Sequence, residues 1–350
     1  MIDAAEGRRL VDVLRLCRGT WIEPSDDRHW HELFALATRE GCANLVWWRA
    51  REAILVTAPK GLIDRWRLQA AAVERSARRQ IAITASVQAA LSAIGVESCV
   101  LKGPAFSDMV YGHWAVRLPG DIDLGVRARD RGAAHRALLD YGLLFRAGDV
   151  CGDGEACYDG VHGDGRFGLE LHSALVDDRP GVAVRLPVPA AEPRELDGLV
   201  LQVARAPSLA AFLAVDLATR PSATIGRTYD FSRSWALSSP REREESRILA
   251  NEQRAARYLD WALGLASLLD AAADGDEPAA QEYFRRRSAS QLDRHLRLAG
   301  SARDALRYLA DWVYPQFVRR GVVAPGTFIS WRLRRLREAV RRVIVPAARH

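Results

Sequence analysis

The chain has 350 residues, 49% of them hydrophobic and 27% charged, which excludes a disordered or collagen-like chain and suits two or three domains. No apolar run reaches the roughly 18 residues of a transmembrane helix, the first residues lack the apolar core of a signal peptide, and five cysteines without framework spacing fit reduced thiols in a cytoplasmic protein. The formal charge is +6, but residues 328–350 carry seven arginines against Glu338 alone, so the whole excess lies there and a nucleic-acid partner is not favoured.

The first 95 residues read as helical. Leu10, Val11, Val13, Leu14 and Leu16 share one side of an early helix, and a second runs from about His29 to Arg39 behind the cap candidates Ser25, Asp26 and Asp27. The longest begins near Leu62. Trp66, Ala70, Val73, Ala77, Thr84, Val87, Leu91 and Ile94 form its stripe, and Gly95 ends it. The pattern then changes. Glu97 to Leu101 is strand-like, Pro104 to Tyr111 helical, Pro119-Gly120 a turn, and Asp121 to Val126 alternates as a strand does. Arg129 to Tyr141 is a helix. Ala156 to His162 and Arg166 to His172 read as a hairpin about Gly163-Asp164-Gly165. From about Glu195 the pattern reads as helical again: one helix over Leu199–Leu217, one or two over Glu242–Ala273, and more helix over Gln281–Arg320 with a break at Pro315. The last segment sets an apolar stripe (Trp331, Leu333, Leu336, Val340, Val343, Ile344) among arginines, read as a terminal helix packing on the body. The fold class expected is α+β. A small mixed-sheet core over 96–180 is flanked by helical regions over 1–95 and 181–350.

The chemistry concentrates in the core. Asp121 and Asp123 stand two apart on a strand and so share a face, where two carboxylates repel unless a cation sits between them. Magnesium takes such hard oxygen ligands and keeps positions open for phosphate. Glu170 and His172 share a face of the later strand, so Glu170 can join the pair if the strands are neighbours. Three carboxylates can hold two magnesium ions, one on the phosphates of a nucleotide and one on the attacking hydroxyl. Upstream, Lys102-Gly103-Pro104 turns from a strand into a helix whose free N–H groups suit phosphate. Gly103 lets that backbone come close. Lys102 is one of only two lysines among 50 basic residues. Arg117 could meet the same phosphates or pair with Asp121 or Asp123. His172 is read as supporting the carboxylates rather than as a base. Cys151 and Cys157 are spaced too widely for a usual zinc pair and are read as loop cysteines.

The run LKGPAFSDMVYGHWAVRLPGDIDLGV, with LELH some forty residues later, resembles a family of bacterial nucleotidyltransferases in the polymerase-β-like superfamily. The resemblance covers residues 60 to 175, and extends loosely through Tyr229-Asp230 and Tyr314-Pro315. It implies that Asp121 and Asp123 are metal ligands and that Glu170 is the third acidic residue, as ligand or base. Lys102-Gly103 falls where the superfamily has Gly-Ser. Gly-Pro stands here instead, so a phosphate contact would pass to Lys102 or Ser107. The activity implied is magnesium-dependent transfer of a nucleoside monophosphate from an NTP, with ATP as the default donor, to a hydroxyl or phosphate of an unidentified peptide, protein or small-molecule acceptor, releasing pyrophosphate. Two alternatives remain at this point: a nucleotide-binding or interaction protein without turnover, and a kinase-like phosphoryl transfer.

Overall fold

The computed structural model describes residues 4–146, 155–163, 165–177, 184–220, 223–287 and 298. The basic segment 328–350, the helix expected beyond Arg287 and Cys151 lie outside them. Four helices come first: α1 (Ala4–Arg18), α2 (Asp27–Arg39), α3 (Ala43–Thr57) and the 34-residue α4 (Lys60–Ala93). Next come β1 (Ser98–Val100), α5 (Gly103–Tyr111), β2 (Ile122–Val126) and α6 (Arg131–Asp140). The strands β3 (Leu144–Phe145), β4 (Glu155–His162), β5 (Gly165–His172), β6 (Leu175–Asp177), β7 (Val184–Leu186), β8 (Ala191–Leu196) and β9 (Leu199–Ala204) follow. Five helices complete the described chain: α7 (Ala210–Thr219), α8 (Ile225–Leu237), α9 (Pro240–Glu252), α10 (Ala256–Ala273) and α11 (Glu277–Arg287). None of these helices is long and apolar enough to cross a membrane.

The fold is α+β, as expected. Its sheet has seven strands in the order β3-β4-β5-β2-β1-β9-β8. The β2–β5 and β1–β9 pairs are parallel and the others antiparallel. Alternation divides the sheet's side chains between two cores. Ile122, Leu124, Leu169 and Leu171 pack under α4 and α6 with Ile81, Val87, Leu91, Ala134 and Leu138. Cys99 and Leu101 belong to the larger core, built from the N-terminal helices and from α7, α8, α10 and α11.

The helix expected over Leu199–Leu217 is not there. Residues 199–204 form β9, paired with β8 through a two-residue turn, and the helix starts only at Ala210. Asp197 and Gly198 take φ of 51° and 77°, the left-handed pair that a tight hairpin turn needs and that Asp-Gly favours. Leu201 and Val203 are buried while Val200 and Gln202 are exposed, a strand's alternation. The sheet therefore takes two strands from beyond residue 180.

A buried clamp ties the two helical regions together. Glu40, at the C-terminus of α2, pairs with Arg287 at the end of α11 and accepts from the backbone N–H of Ile225 at the start of α8. The helices on both sides of the sheet sequence thus share one core.

Candidate active site

Ile122 and Leu124 turn into the core under α4, so Asp123 between them faces the opposite side. β5 lies parallel to β2 with Glu170 opposite Asp123 and His172 opposite Gly125. His172 is 6% exposed. Its Nε2 lies 3.2 Å from Asp123 Oδ1 and 3.6 Å from Glu170 Oε2. Asp123, Glu170 and His172 offer ligand atoms all within 4.8 Å of one another. Glu155 and Cys157, on the other neighbour of β5, make a second such group with Glu170.

Asp121 precedes β2 and stands at the rim, exposed. Its carboxylate lies against the backbone of Gly168, where a Cβ would come within 2.3 Å of Oδ1. The strands thus bring Asp123 and Glu170 together with His172, while Asp121 is an edge member that senses Glu170 through charge. Burial raises the Asp121 carboxyl above its usual value, and Glu170 adds to the rise against the opposing Arg146. Burial also disfavours charge on Asp123, but Lys102 and His172 outweigh it and hold that carboxyl at about 2. The same bonds win at His172. Burial works against its imidazolium, yet Asp123 and Glu170 lift it to about 9. An imidazolium between two carboxylates is a cation where a cation is needed.

Lys102 caps α5, and Gly103 follows with φ of 70°. The Lys102 Nζ lies 4.4 Å from the centre of the Phe212 ring on α7. It is the leading cation favouring ionisation of both Asp123 and Asp216. Asp216, also on α7, accepts from Arg220 Nε at 2.8 Å and from Arg227 Nη1 at 3.1 Å. Arg220 in turn feels the charges of Glu170 and Asp123. The α7–α8 corner therefore faces the carboxylates with cations, and nothing in the sequence motif marked Asp216, Arg220 or Arg227.

Two expected phosphate contacts are placed elsewhere. Ser107 is fully buried, its hydroxyl donating to His113 O at 2.9 Å and accepting from Arg117 N at 3.1 Å. That hydroxyl closes the turn after α5 instead of standing at the Gly103 bend. Arg117 pairs with neither Asp121 nor Asp123. Its Nε lies 2.9 Å from Asp230 Oδ2 on α8, and Tyr111 donates to Asp230 Oδ1 at 2.6 Å. The Tyr229-Asp230 segment was the one signal in the sequence for that partner.

Two carboxylates and an imidazole with converging ligand atoms fit a hard divalent cation, since carboxylate oxygens favour magnesium and the imidazole can hold them in place. A cationic corner opposite suits the phosphates such a cation carries. Residues 26–271 match a protein family described as uncharacterised nucleotidyltransferase. No curated protein and no solved structure matches the chain.

Proposed function

The chain belongs to that uncharacterised nucleotidyltransferase family, and on that premise we propose that it transfers a nucleoside monophosphate from a magnesium-bound NTP, with ATP as the default donor, to a peptide, protein or small-molecule acceptor. The acceptor oxygen forms a bond to the α-phosphorus as the bond from that phosphorus to the β-phosphate bridge breaks, and pyrophosphate leaves. Asp123 and Glu170, with Asp121 at the rim, would hold magnesium in one or two positions. Magnesium supplies charge for the phosphates and makes an attacking hydroxyl more acidic. Glu170 serves as ligand or takes the hydroxyl proton. His172 fixes the orientation of Asp123 through the 3.2 Å contact. Lys102 and Arg220 meet the triphosphate from the side of α7, and the Gly103 bend lets backbone N–H groups at the start of α5 approach it.

Asp123 and Glu170 side by side in parallel register, facing Lys102, carry this assignment. Transfer of label from α-labelled NTP with magnesium tests it, comparing the wild type with Asp121→Asn/Asp123→Asn. Equal labelling by both proteins would end the mechanism. The engagement of the Ser107 hydroxyl in its own turn favours one second reading, nucleotide binding without turnover. Tight magnesium-dependent NTP binding by calorimetry, with no pyrophosphate released over hours, would select it.

A further inference from the structure

Asp230, on α8, is 5% exposed and bonds two residues of the segment that leads from Lys102 to Asp121. Tyr111, the last residue of α5, donates to its Oδ1 at 2.6 Å. Arg117, in the connection from α5 to β2, meets its Oδ2 through Nε at 2.9 Å. The Arg117 guanidinium carbon also lies 5.3 Å from the centre of the Phe106 ring, so it is held between an aromatic ring on α5 and a carboxylate on α8. Its backbone N–H is tied to the Ser107 hydroxyl.

A buried ion pair often stabilises no more than an apolar contact of the same size. What two short, directed bonds add is a fixed position, and both helices that meet here have a place in the candidate active site. Lys102 caps α5, about 13 Å along the helix from Tyr111. α8 carries Arg227 one turn before Asp230, and Arg227 shares Asp216 with Arg220. Each helix thus gives one group to the Asp230 junction and one to the cationic corner. Charge links the two places. Burial raises the Asp230 carboxyl above its usual value, while Arg117, Tyr111, Arg227 and Lys102 all oppose the rise. Lys102 acts in the same way on Asp123 and Asp216, and Arg220 feels Glu170 and Asp123.

We propose that Asp230 is a positioning residue for the triphosphate of the donor: by fastening α8 to Tyr111 and Arg117 it fixes Arg227 and, through their shared Asp216, the place of Arg220 relative to Lys102. Asp230 has this role only if the transferase reading above holds. It touches no reacting atom and acts through Arg227, Asp216 and Arg220. Loss of its charge leaves Asp123 and Glu170 in place, since their register is set by β2 and β5. The cationic corner drifts instead, so the β- and γ-phosphates lose a contact while the nucleoside and α-phosphate keep theirs.

Calorimetry with the full chain, magnesium and two probes tests this: α,β-methylene-ATP, which cannot release pyrophosphate, and AMP. Asp230→Asn keeps the side chain's shape and removes its charge. It should weaken the ATP analogue about tenfold and leave AMP within about twofold. Arg220→Ala should weaken the analogue by a similar factor, and Asp230→Asn/Arg220→Ala little further, because both changes remove the same contact. The cycle alone decides where AMP binds too weakly to measure. Tyr111→Phe drops one bond and keeps Arg117 on Asp230. It should show the same pattern at about threefold, and it carries the cycle with Arg220→Ala if Asp230→Asn does not fold. Additive losses in the cycle, equal losses for both probes, or no loss in either variant overturn the role and leave the transferase reading standing; a junction that acted through stability alone would give such results. A wild type that binds neither probe and transfers no label removes the transferase reading, and the role with it.

Discussion

Replacing Gly168 with alanine tests where Asp121 must stand. The added Cβ would lie 2.3 Å from Asp121 Oδ1, 2.7 Å from Cγ and 2.9 Å from Arg146 Nη2. Heavy atoms do not approach so closely, so the carboxylate must swing away by about 1 Å or more to regain ordinary contact. Asp121 is exposed and can move without disturbing the core. Gly168 itself needs no left-handed backbone, and alanine relieves the entropic weakness of a strand glycine by about 0.5 kcal/mol. Stability should therefore hold. A misplacement of about 1 Å at a reacting centre costs about a hundredfold in rate. Gly168→Ala should lower label transfer from α-labelled NTP by about that factor with Tm nearly unchanged. Gly160→Ala, across the hairpin, makes the contrasting case. Its Cβ would meet the Phe167 ring at 2.3 Å and Leu143 at 2.7 Å, overpacking that costs about 1–3 kcal/mol, so Tm should fall first. Full transfer by a folded Gly168→Ala protein would show that Asp121 does not act from its position over Gly168.

Asp216→Asn should cost about 1.5 kcal/mol at neutral pH, because it removes the charge from a largely buried carboxylate that accepts from the partly exposed Arg220 and Arg227. Asp216 titrates well below its ordinary 3.8, since the nearby cations outweigh the effect of burial. Its contribution is full above that value and is lost as pH falls, so denaturant titrations of variant and wild type should converge in acid; a gap as wide at pH 3 as at pH 7 contradicts the assignment. His172→Gln should weaken magnesium-dependent nucleotide binding about 10- to 100-fold, the usual loss when a group orienting a metal ligand is removed. Calorimetry at several magnesium concentrations would detect it, and unchanged affinity would free Asp123 from dependence on His172. Gly198→Ala, at φ of 77° in the β8–β9 turn, should cost about 1 kcal/mol in denaturant unfolding and leave label transfer alone.

The parts of the fold that the sequence displayed were those with local signals. The β4–β5 hairpin was bracketed by glycines, α5 began at a proline after a glycine, and β2 alternated between acids and aliphatics. The β8–β9 hairpin also carried its signal, Asp197-Gly198. It was masked because Leu199, Leu201 and Val203 run on into the apolar series of α7, whose members from Ala210 to Val215 are all buried. Interrupted only at Gln202, Arg205, Pro207 and Ser208, this largely apolar stretch shows no clear period to separate a strand from a buried helix. The turn residues had to decide, and their left-handed φ angles are what end the helix reading.

The site was legible in its carboxylates and in Lys102. Asp123, Glu170 and His172 sit in two neighbouring strands with Asp121 just ahead of the first, so register alone brings three of them together. The arginines come from α7 and α8, far along the chain, and the sequence offers 48 of them with no way to choose among them. Two acids make the choice, Asp230 buried and Asp216 largely so. Asp230 draws Arg117 away from the carboxylates, and Asp216 holds Arg220 where it feels them. Lys102 then has a physical reason to be lysine. Its ammonium sits over the Phe212 ring while its charge acts on Asp123 and Asp216 at once. A compact point charge on a flexible stem can serve both carboxylates, whereas a guanidinium commits its planar fork to one. The rare lysine marks a place where the acidic strands and the helices beyond them share a single charge.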